Sequence, residues 1–203
     1  MIDVDIPQLS SDGINFGACF YYTYSLQSSS THSPISSSFD ATGLENYLSF
    51  GTMEPSSAST VVRNRTELNS IPLNVEDLWI GRFDTSEVSE FSANRFQSLK
   101  TLVIGNGCFG NVRVFELDGL NELESVEIGR DSFRIRDRKR SDGSYRIINC
   151  PKLKSIQIGD RSFRDYHSFE LNNLPSLQSI DMGDLCFCYA PSFSLTGLID
   201  GLI

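Results

Sequence analysis

Five segments of the chain, beginning at Val75, Leu99, Leu123, Leu153 and Leu177, fall into one alignment with spacings of 24, 24, 30 and 24 residues. A period of this length constrains the fold more than any other feature, because a unit so short buries its apolar side only against copies of itself. Three residues after each start stand Leu78, Leu102, Val126, Ile156 and Ile180, and two further on Ile80, Ile104, Ile128, Ile158 and Met182. Glycine follows in every unit, at Gly81, Gly105, Gly129, Gly159 and Gly183. With glycine at about 7% of residues in general, such a column arises by chance about once in a million.

Beyond the glycine the units stay in phase. Phe109, Phe133, Phe163 and Phe187 form one aromatic column, broken by Thr85, and Phe91, Phe115, Tyr145, Phe169 and Phe193 form a second. Each unit therefore holds two short strand-like segments, L-x-x-L-x-L and F-x-L, separated by turn-forming residues. The expected fold is mainly β: a solenoid of about five 24-residue coils starting at residues 75, 99, 123, 153 and 177. Short parallel strands stack about 4.8 Å apart, with little helix. The glycine column marks a sharp turn with positive φ or a close approach between coils. Outward positions agree with this register, since Glu76, Lys100, Glu124, Lys154 and Gln178 alternate in charge along one ladder.

The L-x-x-L-x-L core at this period resembles the leucine-rich-repeat family, whose repeats run from about 20 to 29 residues. Its customary asparagine is missing. Gly159-Asp160-Arg161-Ser162-Phe163 and Gly183-Asp184-Leu185-Cys186-Phe187 look more like the repeats of the BspA-like, surface-antigen branch. The resemblance covers Val75 to about Leu198. It implies a curved, strand-lined surface that binds proteins, without catalysis, and it makes a cell-surface adhesin or antigen the alternative role.

Residues 75–203 thus form the repeat domain. Residues 1–74, with serine-rich stretches at 25–38 and 54–60, are expected to be an irregular N-terminal cap or a partly disordered segment. Within them, 15–26 has the aromatic content of a strand, 40–50 has helical spacing, and 68–73 looks like a degraded repeat out of phase. After Phe193-Ser194-Leu195 the chain offers no polar closing unit, which suggests a fragment or an end that meets a partner.

The 203 residues carry 17 basic and 26 acidic side chains, a net charge of −9. Binding of the whole domain to nucleic acid or anionic membrane is disfavoured on that balance. No apolar run reaches the length of a membrane span and no secretory leader precedes the repeats, so the face-value location is cytoplasmic, or the cell surface if the chain is a fragment.

Against this acidic background the extra six residues of the third unit, at about 134–144, place Arg134, Arg136, Arg138, Lys139 and Arg140 close together. With Asp142-Gly143 as a turn signal, they predict a projecting basic loop or hairpin. This loop is an accessory contact candidate and the one route to nucleic acid. The main candidate is the outward ladder Trp79, Val103, Glu127, Gln157 and Asp181, headed by the single tryptophan.

Other chemistry is weaker. Cys186-Phe187-Cys188 pairs two thiols, yet Cys108 and Cys186 share a column with Ser132 and Ser162, a slot for a small buried side chain. Neither His32 nor His167 belongs to a catalytic motif, and no metal or cofactor is expected. Asp160 and Asp184 share a column on successive units, the arrangement that a carbohydrate-active β-solenoid enzyme would need. Asn64-Arg65-Thr66 matches a glycosylation acceptor.

Overall fold

The computed structural model describes residues 14–15, 58–81, 87–135 and 142–197. The described chain is mainly β, with two parallel sheets and a single short helix. In order the elements are β1 (Ile14–Asn15), β2 (Thr60–Val62), α1 (Arg65–Asn69), β3 (Asp77–Ile80), β4 (Glu90–Ser92), β5 (Thr101–Ile104) and β6 (Val114–Asp118). There follow β7 (Ser125–Ile128), β8 (Gly143–Ile148), β9 (Ser155–Ile158), β10 (Tyr166–Asn172), β11 (Ser179–Met182) and β12 (Ser192–Thr196).

From β3 onward successive strands alternate between the sheets. Sheet A runs β1-β11-β9-β7-β5-β3-β2 and sheet B runs β12-β10-β8-β6-β4. Every pairing is parallel, and the pairs follow the repeat: Leu78 faces Leu102, Val126 faces Ile156, Phe115 faces Tyr145 and Phe169 faces Phe193. The six extra residues lie between β7 and β8, outside both strands, so the register passes through them unchanged.

The inward rows of the two sheets meet in one core that includes Leu102, Ile104, Ile128, Phe115, Phe163 and Phe169. Its centre is a double aromatic column. Phe91, Phe115, Tyr145, Phe169 and Phe193 stack at centroid distances of 5.5, 4.9, 4.9 and 4.4 Å. Phe109, Phe133, Phe163 and Phe187 stack beside them, and rings of the two columns meet edge to face, as Tyr145 and Phe163 do at 4.8 Å and 76°. Each such pair adds about 0.5–1.5 kcal/mol beyond the burial of its area.

The second column has a backbone cost. Phe109, Phe133, Phe163 and Phe187 all sit in the left-handed region, with φ of 58°, 55°, 52° and 49°. That conformation costs a non-glycine residue about 1–2 kcal/mol, whereas complete burial of a phenylalanine ring returns about 1.5–3 kcal/mol. Burial wins, and the same turn recurs in each of those four units.

The glycine column resolves to close approach. Gly159 has ordinary φ, but a Cβ there would lie 2.5 Å from Arg130 N and 2.9 Å from Gly129 C; at Gly129 it would lie 2.7 Å from Asn106 N. Positive φ falls instead on Gly107, Asp131, Arg161 and Leu185, two residues further on.

Three expectations for the flanking segments change. Residues Thr60–Val62 extend sheet A beyond β3, with Val61 opposite Trp79. The out-of-phase stretch 68–73 begins in α1, whose N-cap is Asn64, so the glycosylation-type asparagine accepts the Glu67 N–H at 3.0 Å. The sheet A edge of the last unit is not open: Ile14 and Asn15 pair with Ile180 and Asp181 of β11. The helical segment expected at 40–50 and most of the strand at 15–26 lie outside the described residues.

Asp142-Gly143 is not a hairpin turn. Gly143 opens β8, is buried, and stands opposite Tyr166 in a parallel pair. A Cβ on it would come within 2.8 Å of the Tyr166 ring, so glycine is there to admit an aromatic face.

Candidate functional site

The outward face of sheet A is built by strand alternation. In each sheet A strand from β3 to β11 the second and fourth residues point inward and are buried, while the first and third point out. Two outward columns result: Asp77, Thr101, Ser125, Ser155 and Ser179, and the predicted ladder Trp79, Val103, Glu127, Gln157 and Asp181. The strands bring all five ladder residues together on one face, and β2 adds Val61 beside Trp79.

Along the ladder the apolar end is Val61, Trp79 and Val103. Val103 retains only 9% of its surface although it points outward. Trp79 is half-buried, with its ring laid along its own strand; a Cβ on Gly81 would touch the ring at 2.7 Å. Glycine at that position therefore has a local reason beyond the repeat, and the indole is held flat against the sheet.

Glu127 follows. It makes no hydrogen bond or ion pair with any described residue, and burial alone raises the pKa of its carboxyl above the usual value. Gln157 is half-buried and Asp181 is exposed. The two columns hold three carboxylates, at Asp77, Glu127 and Asp181, and no cation.

The adjoining column carries the charge alternation read from the sequence. Lys100 Nζ donates to Glu76 at 2.6 Å and Lys154 Nζ donates to Glu124 at 2.6 Å. These contacts raise the Lys100 pKa and lower that of Glu124, chiefly through the hydrogen bond each makes with its partner. Both cations of this column are thus already paired within it.

The basic insertion is only partly visible. Arg134 lies 3.6 Å from Asp131, which also receives Arg161 at 3.0 Å. Arg136, Arg138, Lys139 and Arg140 lie outside the described residues. At the insertion's far end Asp142 pairs with Arg113.

Asp160 and Asp184 are brought together as a turn. Asp160 Oδ1 accepts the backbone N–H of Asp184 at 2.9 Å, as Asn106 Oδ1 accepts that of Arg130 at 2.8 Å. The small-residue slot is a second such device. Ser162 Oγ donates to Gly129 O at 2.7 Å and accepts the Ser132 N–H at 3.0 Å, and Cys186 Sγ donates to Gly159 O at 3.2 Å. Among the described residues no cluster of His, Cys, Asp and Glu could hold a metal ion.

Two features escaped the sequence reading. On sheet B, Arg146 bridges Glu116 at 3.0 Å and Glu170 at 2.9 Å across three strands, a Glu-Arg-Glu column the repeat phase already spelled out. The Tyr145 hydroxyl is buried without a partner among the described residues, whereas Tyr166 donates to Val112 O at 2.8 Å. Tyr145 occupies a column of phenylalanines, and that mismatch was the available signal.

No protein-family model, no curated protein and no solved structure matches the chain. Among the described residues no helix is long and apolar enough to cross a membrane.

Proposed function

We propose that the chain is a leucine-rich-repeat solenoid acting as a non-enzymatic protein-binding scaffold, with the outward face of sheet A as its contact surface. The solenoid reading is supported by strict alternation of strands between two parallel sheets in 24-residue phase. The single observation that carries the function is the outward ladder, where Trp79 and Val61 stand beside Val103 on an otherwise polar sheet face. Aromatic anchors amid a polar surround are the residues that carry most of the energy in protein interfaces. The basic insertion is an accessory.

The test is hydrogen exchange on the chain alone and with the proteins it captures from a native lysate. Added protection over β3, β5 and β7, lost with Trp79→Ala while circular dichroism stays unchanged, supports the reading. Capture that is indifferent to Trp79→Ala, or protection confined to sheet B, overturns it.

A further inference from the structure

The turn after β5 holds a reactive pair of residues. We propose that Asn106 is a site of spontaneous deamidation, held back in the folded chain by the backbone of Arg130 in the next unit and released when the turn after β5 opens away from the turn after β7.

Asn106-Gly107 is the one Asn-Gly dipeptide in the chain. The Gly107 backbone nitrogen, having given up its proton, attacks Asn106 Cγ. The new C–N bond closes a succinimide ring, the Cγ–Nδ2 bond breaks, and Nδ2 leaves as ammonia with that proton. Water then opens the ring. Cleavage at Cγ gives an aspartyl residue with its backbone intact, and cleavage at the Asn106 main-chain carbonyl gives an isoaspartyl linkage that runs through the former side chain. Glycine favours the attack because no side chain crowds its nitrogen. Asn106 is exposed, so water reaches it. The other units read Arg82-Phe83, Arg130-Asp131, Asp160-Arg161 and Asp184-Leu185 at these positions, so the second unit alone combines the carboxamide with glycine.

Both reacting groups are tied to one residue. Asn106 Oδ1 accepts the Arg130 N–H at 2.8 Å, and the Gly107 N–H donates to Arg130 O at 2.8 Å. The first contact keeps the carboxamide on the third unit, and the second must break before the Gly107 nitrogen can lose its proton. The units are close here: a Cβ on Gly129 would lie 2.7 Å from Asn106 N and would overlap Asn106 Oδ1. The folded chain therefore reacts only for the fraction of time that this turn is open. Its two products differ in fate. Asp160 fills the same position in the fourth unit and its Oδ1 accepts the Asp184 N–H at 2.9 Å, so an aspartyl product keeps the contact. An isoaspartyl linkage lengthens the backbone by a methylene and shortens the side chain, which parts the second turn from the third.

The experiment incubates the full chain, folded and in about 8 M urea, at mildly alkaline pH and follows every asparagine by peptide mapping and mass spectrometry. In urea Asn106 is expected to convert before any other asparagine, and in the folded chain about tenfold or more slowly than in urea. Gly129→Ala, which pushes the Asn106 side chain off its contact, should raise the folded rate by a similar factor while circular dichroism stays unchanged. Where that variant fails to fold, the parent chain in lower urea decides: conversion that accelerates before the unfolding transition supports local opening, and conversion that rises only along the transition overturns it. Another asparagine converting first in urea overturns the site. Equal rates in the folded and unfolded chain, or a folded Gly129→Ala that reacts at the parent's rate, overturn the restraint by Arg130.

Discussion

Asp160 Oδ1 accepts the backbone N–H of Asp184 at 2.9 Å, one repeat further along the chain. The contact closes the turn after β9 onto the turn after β11 and gives the shared column of carboxylates a structural task. Asp160→Ala should cost about 1 kcal/mol, whereas Asp160→Asn, which keeps the acceptor as Asn106 does in its own unit, should cost a few tenths. Urea denaturation of the two variants measures the difference, and equal loss in both would contradict the hydrogen-bond account.

Glycines of one column should differ in tolerance. A Cβ at Gly105 meets nothing closer than Ile80 O at 3.3 Å, while at Gly159 it meets the Arg130 backbone N at 2.5 Å. Gly159→Ala is expected to destabilise by about 3 kcal/mol and Gly105→Ala by about 1 kcal/mol or less, read from midpoints at constant m-value. The ordering of the two variants is the critical result, since a uniform turn requirement would penalise both alike.

The aromatic columns make opposite predictions for two of their members. Phe163→Ala removes a ring that touches Phe133, Tyr145 and Phe187 and should cost about 3–5 kcal/mol. Tyr145→Phe removes a buried hydroxyl without a described partner and should stabilise by about 1–2 kcal/mol. A destabilised Tyr145→Phe would reveal a partner for that oxygen.

Glu127 gives a pH signature. Burial raises its carboxyl pKa in the folded chain, so the folded state holds this proton more tightly than the unfolded one. Its contribution is favourable below the unfolded pKa and is lost as pH rises through the folded value. Glu127→Gln should therefore unfold at a higher temperature than the parent chain at pH 7 and converge with it below about pH 4. Thermal melts across that range test the sign, and a lower melting temperature at neutral pH would show an internal partner for the carboxylate.

Much of this architecture is legible in the sequence. The columns beginning at Val75 and the paired Glu76 and Lys100 fixed which residues face inward and which strands adjoin, because a repeat translates sequence distance directly into strand neighbourhood. The ladder from Trp79 to Asp181 followed from the same arithmetic. Gly143 was misread because a dipeptide turn signal reports local conformation, while the ring of Tyr166, 23 residues away, decided that site. The pairing of Ile14 with Ile180 had no local signal at all, since two residues of strand carry no periodicity. The left-handed turn at Phe163 was equally hidden, because side-chain burial there overrides the backbone preference that a sequence displays.

The strand Ile14–Asn15 lies at one margin of sheet A and Thr60–Val62 at the other, six strand spacings or about 29 Å apart. A linear array of repeats normally frays independently from its two ends, each repeat depending only on its neighbours. Here both margins of sheet A are short strands that precede the repeats in sequence, while sheet B ends at β12 and β4. Withdrawal of Ile14 and Asn15 would uncover the edge of β11 at Ile180 and Asp181, an unpaired rim able to template another strand. That pairing covers a stretch of sheet edge which a parallel stack otherwise leaves open to strand addition.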